Sequence, residues 1–476
     1  MLLGIDLGTG SVKALLLSPQ GDVLEQASAP YEVRSPRPGY AETSPVDWWA
    51  ATVTAVQKAC AGHAAEVAAI GLSGQMHGVL LLGAGGAPLR PAVLWADTRA
   101  APVLERFREH ASDDQAKLKN PVTAGMAGPI LFYLREHDPE VLDGVRWALQ
   151  PKDWLRFRLT GEVASEASDA SATLLFDVAG GGWLAGLMSR LGLEPTWLPP
   201  LIASDAVAGE LTRDAAAALG LRAGTPVVAG GADTACAAFG SGLVEAGAAQ
   251  LTVGTGAQLL LVQAEPDDAS ARGVHLYRTV GALSAPYYAL AAIQNGGLAL
   301  EWARRSLKLS WEAFYGEAFS VPSSDGATFL PYLTGERTPH LDAQVRGVWA
   351  GLALHHTTAE LARSAFEGVA FALRDGLDAL SAGRAPEQLF LAGGGTLQPS
   401  WQQLLADALE QPLLLNSAPS ASAVGAARLA GFGTGVLSAP PSSAFSGVVT
   451  PKNDLSVPRS RFRALYPRLK DWGDAS

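Results

Sequence analysis

Short apolar runs recur along this chain, broken by glycine-bearing or polar turns, and alternate with longer stretches whose apolar residues fall at helical spacing. Leu2–Ile5, Lys13–Leu17 and Val23–Ala27 read as three strands of a meander, separated by Gly8-Thr9-Gly10 and by Pro19-Gln20-Gly21-Asp22. Ser44-Pro45-Val46-Asp47 then opens a helix. Ser44 can cap it, Pro45 suits the first helical position, and Asp47 suits the positive end. Trp48, Trp49, Val53, Val56 and Cys60 continue it. Ala68–Leu72 and Val79–Leu82 read as strands flanking Ser73-Gly74-Gln75-Met76-His77-Gly78, and Pro226–Ala229 as a strand ending in Gly230-Gly231-Ala232-Asp233. Thr357-Thr358-Ala359-Glu360 is a capping box opening a long helix. Leu389–Ala392 is a strand running into Gly393-Gly394-Gly395, and a helix follows through Trp401, Leu404, Leu405 and Leu409. Strands alternating with helices predict an α/β fold.

Two stretches repeat one pattern. Gly4–Leu17 and Leu251–Val262 each run apolar, Gly-Thr-Gly, apolar. The first carries Asp6 two residues before its first glycine, and the second carries Thr252 there. Glycines between strands make tight turns whose bare amides can approach an anion. The repeat predicts two lobes gripping one phosphate chain, with one lobe supplying a carboxylate for a metal. The boundary is expected near Gly240–Ala246, dividing the chain into residues 1–243 and 244–476.

Composition narrows the class. The chain has 476 residues, 48% hydrophobic and 17% charged, so core is ample and disorder is not expected. A net charge of −11 argues against nucleic acid or an anionic membrane as partner, and leaves room for ATP. Two distant cysteines, Cys60 and Cys236, fit a reducing compartment. The N-terminus has no basic leader-like region, and the uncharged stretch Gly247–Ala264 reads as a hairpin rather than a membrane span. A cytoplasmic protein is expected. After a Pro/Ser-rich loop at Ser438–Ser446, the basic segment Pro458–Lys470 is expected to form a docking helix.

No glycine is followed by lysine, so the chain has no G-x-x-x-x-G-K-[ST] phosphate loop. It also lacks H-R-D and H-E-x-x-H motifs, and Lys13 replaces the third glycine of a dinucleotide fingerprint. Asp6 could hold Mg²⁺ beside a phosphate chain, or could cap its own turn. Thr9, Ser11 and Lys13 add donors to that loop. Asp233 could serve as a base for a sugar hydroxyl, or as the N-cap of the helix after it. Gln75-Met76-His77-Gly78 offers an amide, a soft apolar contact and an imidazole, a set suited to several hydroxyls. The three glycines after Ala392 permit close approach to adenine, or mark a crowded turn.

These segments, in this order, resemble the FGGY family of carbohydrate kinases. Asp6-Leu7-Gly8-Thr9-Gly10-Ser11-Val12-Lys13 resembles the first phosphate loop, and Gly254-Thr255-Gly256 the second. Gly393-Gly394-Gly395 with Trp401 and Ala406-Asp407 resembles the adenosine segment, followed by Gly425–Ala430. Gly347-x-Trp349-x-Gly351-Leu352 and Glu360–Glu367 fit the C-terminal signature. The resemblance implies two actin-like (ribonuclease H-like) lobes with a cleft between them, ATP and Mg²⁺, and a fit with a homodimer. Trp95–Arg99, Pro151–Arg156 and Pro331–His340, with Ser73–Gly78, are similar to members acting on ketopentoses, D-xylulose foremost; L-ribulose, gluconate and glycerol kinases are the rivals. A non-catalytic actin-like ATP-binding protein is the rival from another class. By this similarity Asp233 is the catalytic base and Asp6 organises Mg-ATP. Gln75, Met76, His77 and Thr234 contact the sugar. Gly8, Thr9, Gly10, Lys13, Gly254, Thr255, Gly256, Gly393, Gly394 and Gly395 contact the nucleotide. The chain departs from the family pattern at Ile130, where the signature has lysine. It departs again at Thr234, where an amide is usual, and at Thr396-Leu397-Gln398.

Overall fold

The computed structural model describes every residue except Ala282, Ser417, Ala418, Ala439, Ala444 and 473–476. Parts of the Ser438–Ser446 loop and the last four residues of the expected second unit therefore lie outside the described residues.

Two seven-stranded sheets carry the fold. In the first, Leu2–Leu7 runs antiparallel to Ser11–Leu17, which is antiparallel to Val23–Pro30. On its other side Leu2–Leu7 is parallel to Ala69–Gly74, which is parallel to Pro226–Val228. The second sheet repeats that plan. Ala248–Val253 is antiparallel to Ala257–Gln263, then to Tyr287–Ile293, and parallel to Gln388–Ala392 and Leu413–Leu415 on the other side. The sequence repeat is thus a structural repeat. The stretch Gly247–Ala264 is largely the hairpin of the second sheet, and among the described residues no helix is long and apolar enough to cross a membrane.

Local signals placed the helices well. Ser44 Oγ accepts from Val46 N at 3.3 Å and Pro45 opens helix Pro45–Ala59, which buries Trp48, Ala55 and Val56. Thr357 and Glu360 form the capping box of the 24-residue helix Thr358–Ser381. Its Phe366, Val369 and Leu373 belong to the core of the second sheet. The expected C-terminal docking helix is instead two short ones, Ser456–Arg463 and Tyr466–Leu469. Pro467 has no N–H to donate, and a helix restarts around it rather than running through. Phe462 is the buried anchor of this tail.

The two halves of the sequence are not each confined to one sheet. Helix Ala421–Gly433, late in the chain, returns to pack on the first sheet and on helix Asp233–Gly240. The approach is backbone to backbone. A Cβ on Gly71 would lie 1.8 Å from the Ala426 carbonyl oxygen, and one on Gly425 would lie 1.9 Å from that of Cys236. Leu2, Cys236, Phe390, Val424 and Ala427 share one core cluster, so both halves contribute to the packing beneath the cleft.

Candidate active site

Strand Leu2–Leu7, interior in its sheet, carries Asp6 near its C-terminal end. Asp6 lies opposite Lys13 on one neighbour and Ser73 on the other. Ser73 Oγ donates to Asp6 Oδ1 at 2.9 Å. Burial raises the Asp6 pKa, against the opposing Ser73 hydrogen bond and the Lys13 charge. The turn that follows is braced from below. Gly8 N donates to Ser11 O at 3.1 Å and Tyr31 N to Gly10 O at 3.1 Å. The Tyr31 hydroxyl donates to Gly8 O. Gln75 Nε2 donates to Gly8 O and to the Tyr31 hydroxyl, each at 3.3 Å. Gln75 is only 1% exposed, which places it under the turn. Trp95 Nε1 donates to Thr9 Oγ1 at 2.9 Å. The amides of Thr9 and Gly10 have no backbone partner among the described residues.

Gly231–Ala232 pairs in parallel with Ser73–Gly74, so Asp6, Ser73 and Gly231 lie in one row across the sheet. Asp233 comes two residues later, as the first residue of helix Asp233–Gly240. It is not the cap; Ala232 holds that position. Asp233 Oδ1 accepts from Thr234 N at 2.6 Å and from Thr234 Oγ1 at 3.2 Å. No donor among the described residues reaches Oδ2. Burial, and secondarily the charge of Asp6, pushes the Asp233 pKa up to about 7. A carboxylate with one free oxygen and a pKa near neutrality suits a general base.

Asp233 and Thr234 line a cavity of about 370 Å³ together with Gln250, Thr252, Gln258 and Gly393. The cavity therefore takes walls from both sheets. Thr252, opposite Gln258 and Ala392, holds the register position that Asp6 holds in the first sheet. The second turn is braced as firmly as the first. Gly254 N donates to Gly256 O at 2.8 Å, and Gly297 N to Gly254 O at 2.9 Å. The amides of Thr255 and Gly256 have no backbone partner among the described residues. Gly393 has φ +100°, and a Cβ there would lie 2.6 Å from Val253 O. That closeness sets the glycine run beside the second turn, while Gly394 faces open space.

Met76 and His77 follow strand Ala69–Gly74, whose end pairs with Gly231–Ala232 just before Asp233. The Tyr288 hydroxyl lies 3.8 Å from Met76 Sδ. His77 has φ +74°, and its Nδ1 lies 2.9 Å from Ala172 O. A carbonyl only accepts, so Nδ1 carries the hydrogen and Nε2 is the acceptor. Burial pushes the His77 pKa down to about 4, which keeps the ring neutral. Two residues the sequence reading missed stand beside it. The Tyr277 ring centroid is 5.9 Å from that of His77, and His275 stacks 5.7 Å from Tyr277. His275 and Tyr277 are two apart on strand His275–Arg278, and that alternation was the available signal. A larger cavity, about 1020 Å³, opens on Gln294, Thr334 and Arg337, but includes neither Asp233 nor either glycine turn. Trp401 is wholly buried, and Asp407 holds the tail by accepting from Lys452 N and Asn453 Nδ2 at 2.7 Å each.

Residues 1–240 match the N-terminal domain, and residues 249–434 the C-terminal domain, of the FGGY family of carbohydrate kinases. The chain belongs to the FGGY family of carbohydrate kinases. It is 37% identical over 439 residues to the xylulose kinase of Escherichia coli K12, covering 90% of this chain and 89% of that protein. Its fold superposes on a "xyloylose kinase" from Brucella ovis with a TM-score of 0.90 at 33% identity, covering 98% of this chain and 99% of that one. A xylulose kinase from Rhodospirillum rubrum gives 0.91 at 29% identity, with 99% of each chain covered. The two actin-like, ribonuclease H-like lobes are thus established. Two of this FGGY kinase's departures have structural readings. Ile130 is wholly buried on helix Ala127–His137, where its side chain adds to an apolar cluster. Thr396 Oγ1 donates to Gly393 O at 2.8 Å and ties down the glycine run.

Proposed function

We propose that this carbohydrate kinase transfers the γ-phosphoryl group of ATP to the terminal hydroxyl of D-xylulose, giving D-xylulose 5-phosphate. The observation that carries the mechanism is Asp233, with Oδ2 free and its pKa near neutral, in a cavity walled by both sheets. The relatives named xylulose kinase support the substrate.

The ketose lies against Met76 and His77, whose neutral Nε2 accepts a sugar hydroxyl. Gln75 acts from beneath, by holding the first turn. Thr234 Oγ1 is spent on Asp233, so Thr234 sets the base and fills part of the wall. The unpaired amides of Thr9, Gly10, Thr255 and Gly256 face the β/γ-phosphates from two sides, with Lys13 beside the first turn. Gly393, Gly394 and Gly395 leave room for the adenosine. Among the described residues Asp6 accepts one hydrogen bond, at Oδ1, and a carboxylate with spare lone pairs fits Mg²⁺, which keeps several waters and takes one or two such ligands. Mg²⁺ held there would neutralise charge on the phosphate oxygens. Asp233 Oδ2 takes the proton of the terminal hydroxyl as that oxygen bonds to the γ-phosphorus and the bond to ADP breaks. The transition state of such transfers is largely loose, so alignment supplies much of the rate and the base acts late.

A coupled ADP-release assay over D-xylulose, L-ribulose, gluconate and glycerol tests the reading. D-xylulose should give the highest kcat/KM; a higher value for another sugar reassigns the substrate, and no sugar-dependent release removes the activity. His77→Ala should raise the KM for D-xylulose roughly tenfold, the worth of one hydrogen bond to a neutral group, with the KM for ATP unchanged. An unaltered sugar KM would remove His77 from the sugar site.

A further inference from the structure

Five charged side chains lie wholly buried behind the cleft. Lys152, Asp153, Arg156, Glu166 and Asp169 are each no more than 1% exposed. Lys152 Nζ sits 2.6 Å from Asp153 Oδ1, 3.2 Å from Asp169 Oδ2 and 3.6 Å from Glu166 Oε1. Arg156 Nη1 lies 2.9 Å from Asp153 Oδ1. Such a cluster is a poor source of stability, because desolvating the charges offsets their attraction and apolar residues of similar volume would serve as well.

Its contacts with the backbone suggest another use. Arg156 Nη1 donates to Ala229 O at 3.0 Å. Ser168 Oγ donates to Glu166 Oε1 at 2.8 Å and accepts from Ala232 N at 2.9 Å. Glu166 also accepts from Ser168 N at 2.7 Å and Asp169 N at 2.9 Å, which fixes the short helix bearing Ser168. The cluster therefore grips both ends of Ala229-Gly230-Gly231-Ala232, the segment that leads into Asp233. Two adjacent glycines would otherwise leave that segment the most pliable part of the strand end.

We propose that Ser168, anchored by Glu166 and Lys152, is a positioning residue that fixes Asp233 against the sugar hydroxyl. This rests on Asp233 being the base. The cluster acts at one remove: its charges never meet the substrate, and its hydrogen bonds set where the carboxylate stands.

Ser168→Ala removes the acceptor for Ala232 N and is expected to lower kcat about 10- to 100-fold, the scale of a small misplacement of a reacting group. The KM for D-xylulose and for ATP should each stay within about twofold, a split that a purely structural role would not produce. Ser168→Cys keeps the size but weakens the acceptor, and should fall between the two; it carries the test if the alanine variant does not fold. A kcat within twofold of wild type in folded variants, or kcat and both KM values moving together, overturns the proposal. Asp233→Asn is the control. If it keeps its activity the base assignment fails; if it is inactive while Ser168→Ala and Ser168→Cys are normal, only the positioning role fails.

Discussion

Asp233→Asn is expected to lower kcat for sugar phosphorylation by roughly 10²–10⁴-fold, the usual contribution of a positioned base. ATP binding, measured by fluorescence titration or calorimetry, should be nearly unchanged. The wild-type kcat/KM should rise with pH through about 7 and then level, because the carboxylate must be ionised to accept the proton. The asparagine variant should lack that limb. The same shift has a stability consequence of opposite sense. Burial raises the Asp233 pKa above its ordinary value, so the folded state favours the protonated form. The stability this group contributes is fully present below about pH 4 and is lost as pH rises through about 7. Asp233→Asn, which has no charge to bury, should therefore gain in thermal midpoint relative to wild type at pH 8, and less so at pH 5. A variant that is both active and no more stable at pH 8 would overturn the assignment.

Gly71→Ala should cost the fold about 3 kcal/mol, at the upper end of overpacking penalties. Its Cβ would stand 1.8 Å from the Ala426 carbonyl oxygen, so the sheet and helix Ala421–Gly433 must separate. Backbone cannot step aside as a side-chain tip can. Because that helix also packs on helix Asp233–Gly240, activity should fall together with stability. Gly316→Ala is the contrast. Gly316 lies in helix Trp311–Ser320 with nothing near its absent Cβ, and alanine there should stabilise by about 0.5–1 kcal/mol. Urea unfolding of the two variants checks both signs, and equal midpoints would refute the packing account.

Much of the architecture was legible in the chain because the forces concerned act over a few residues. Alternation, capping and turn chemistry marked the strand of Asp6, the caps at Ser44 and Thr357, and the hairpin of the second sheet. The paired Gly-Thr-Gly turns were legible for the same reason, and so was the exchange of Asp6 for Thr252. The C-terminal segment misled, since its basic and apolar residues fit one helix while Pro467 divides it into two.

Spacing along the chain could not say what stands across from a residue. Asp6 meets Ser73, sixty-seven positions away, only because two strands pair in parallel. Gln75 reads as a sugar ligand in its loop, yet lies beneath the first turn once Tyr31 and Gly8 close over it. His275 and Tyr277 join His77 from the other half of the chain. The return of helix Ala421–Gly433 to the first sheet is likewise invisible in composition, since small residues at contact positions look like any other small residues. The sequence by itself determined the repeat and the family, and it singled out Asp6 and Asp233, the two carboxylates on which the proposed chemistry turns. Tertiary structure alone decided which Asp233 oxygen is free, how far burial and Asp6 raise its pKa, and what clamps it in place. Those properties depend on desolvation and on contacts between distant segments, and both exist only after the chain has closed on itself.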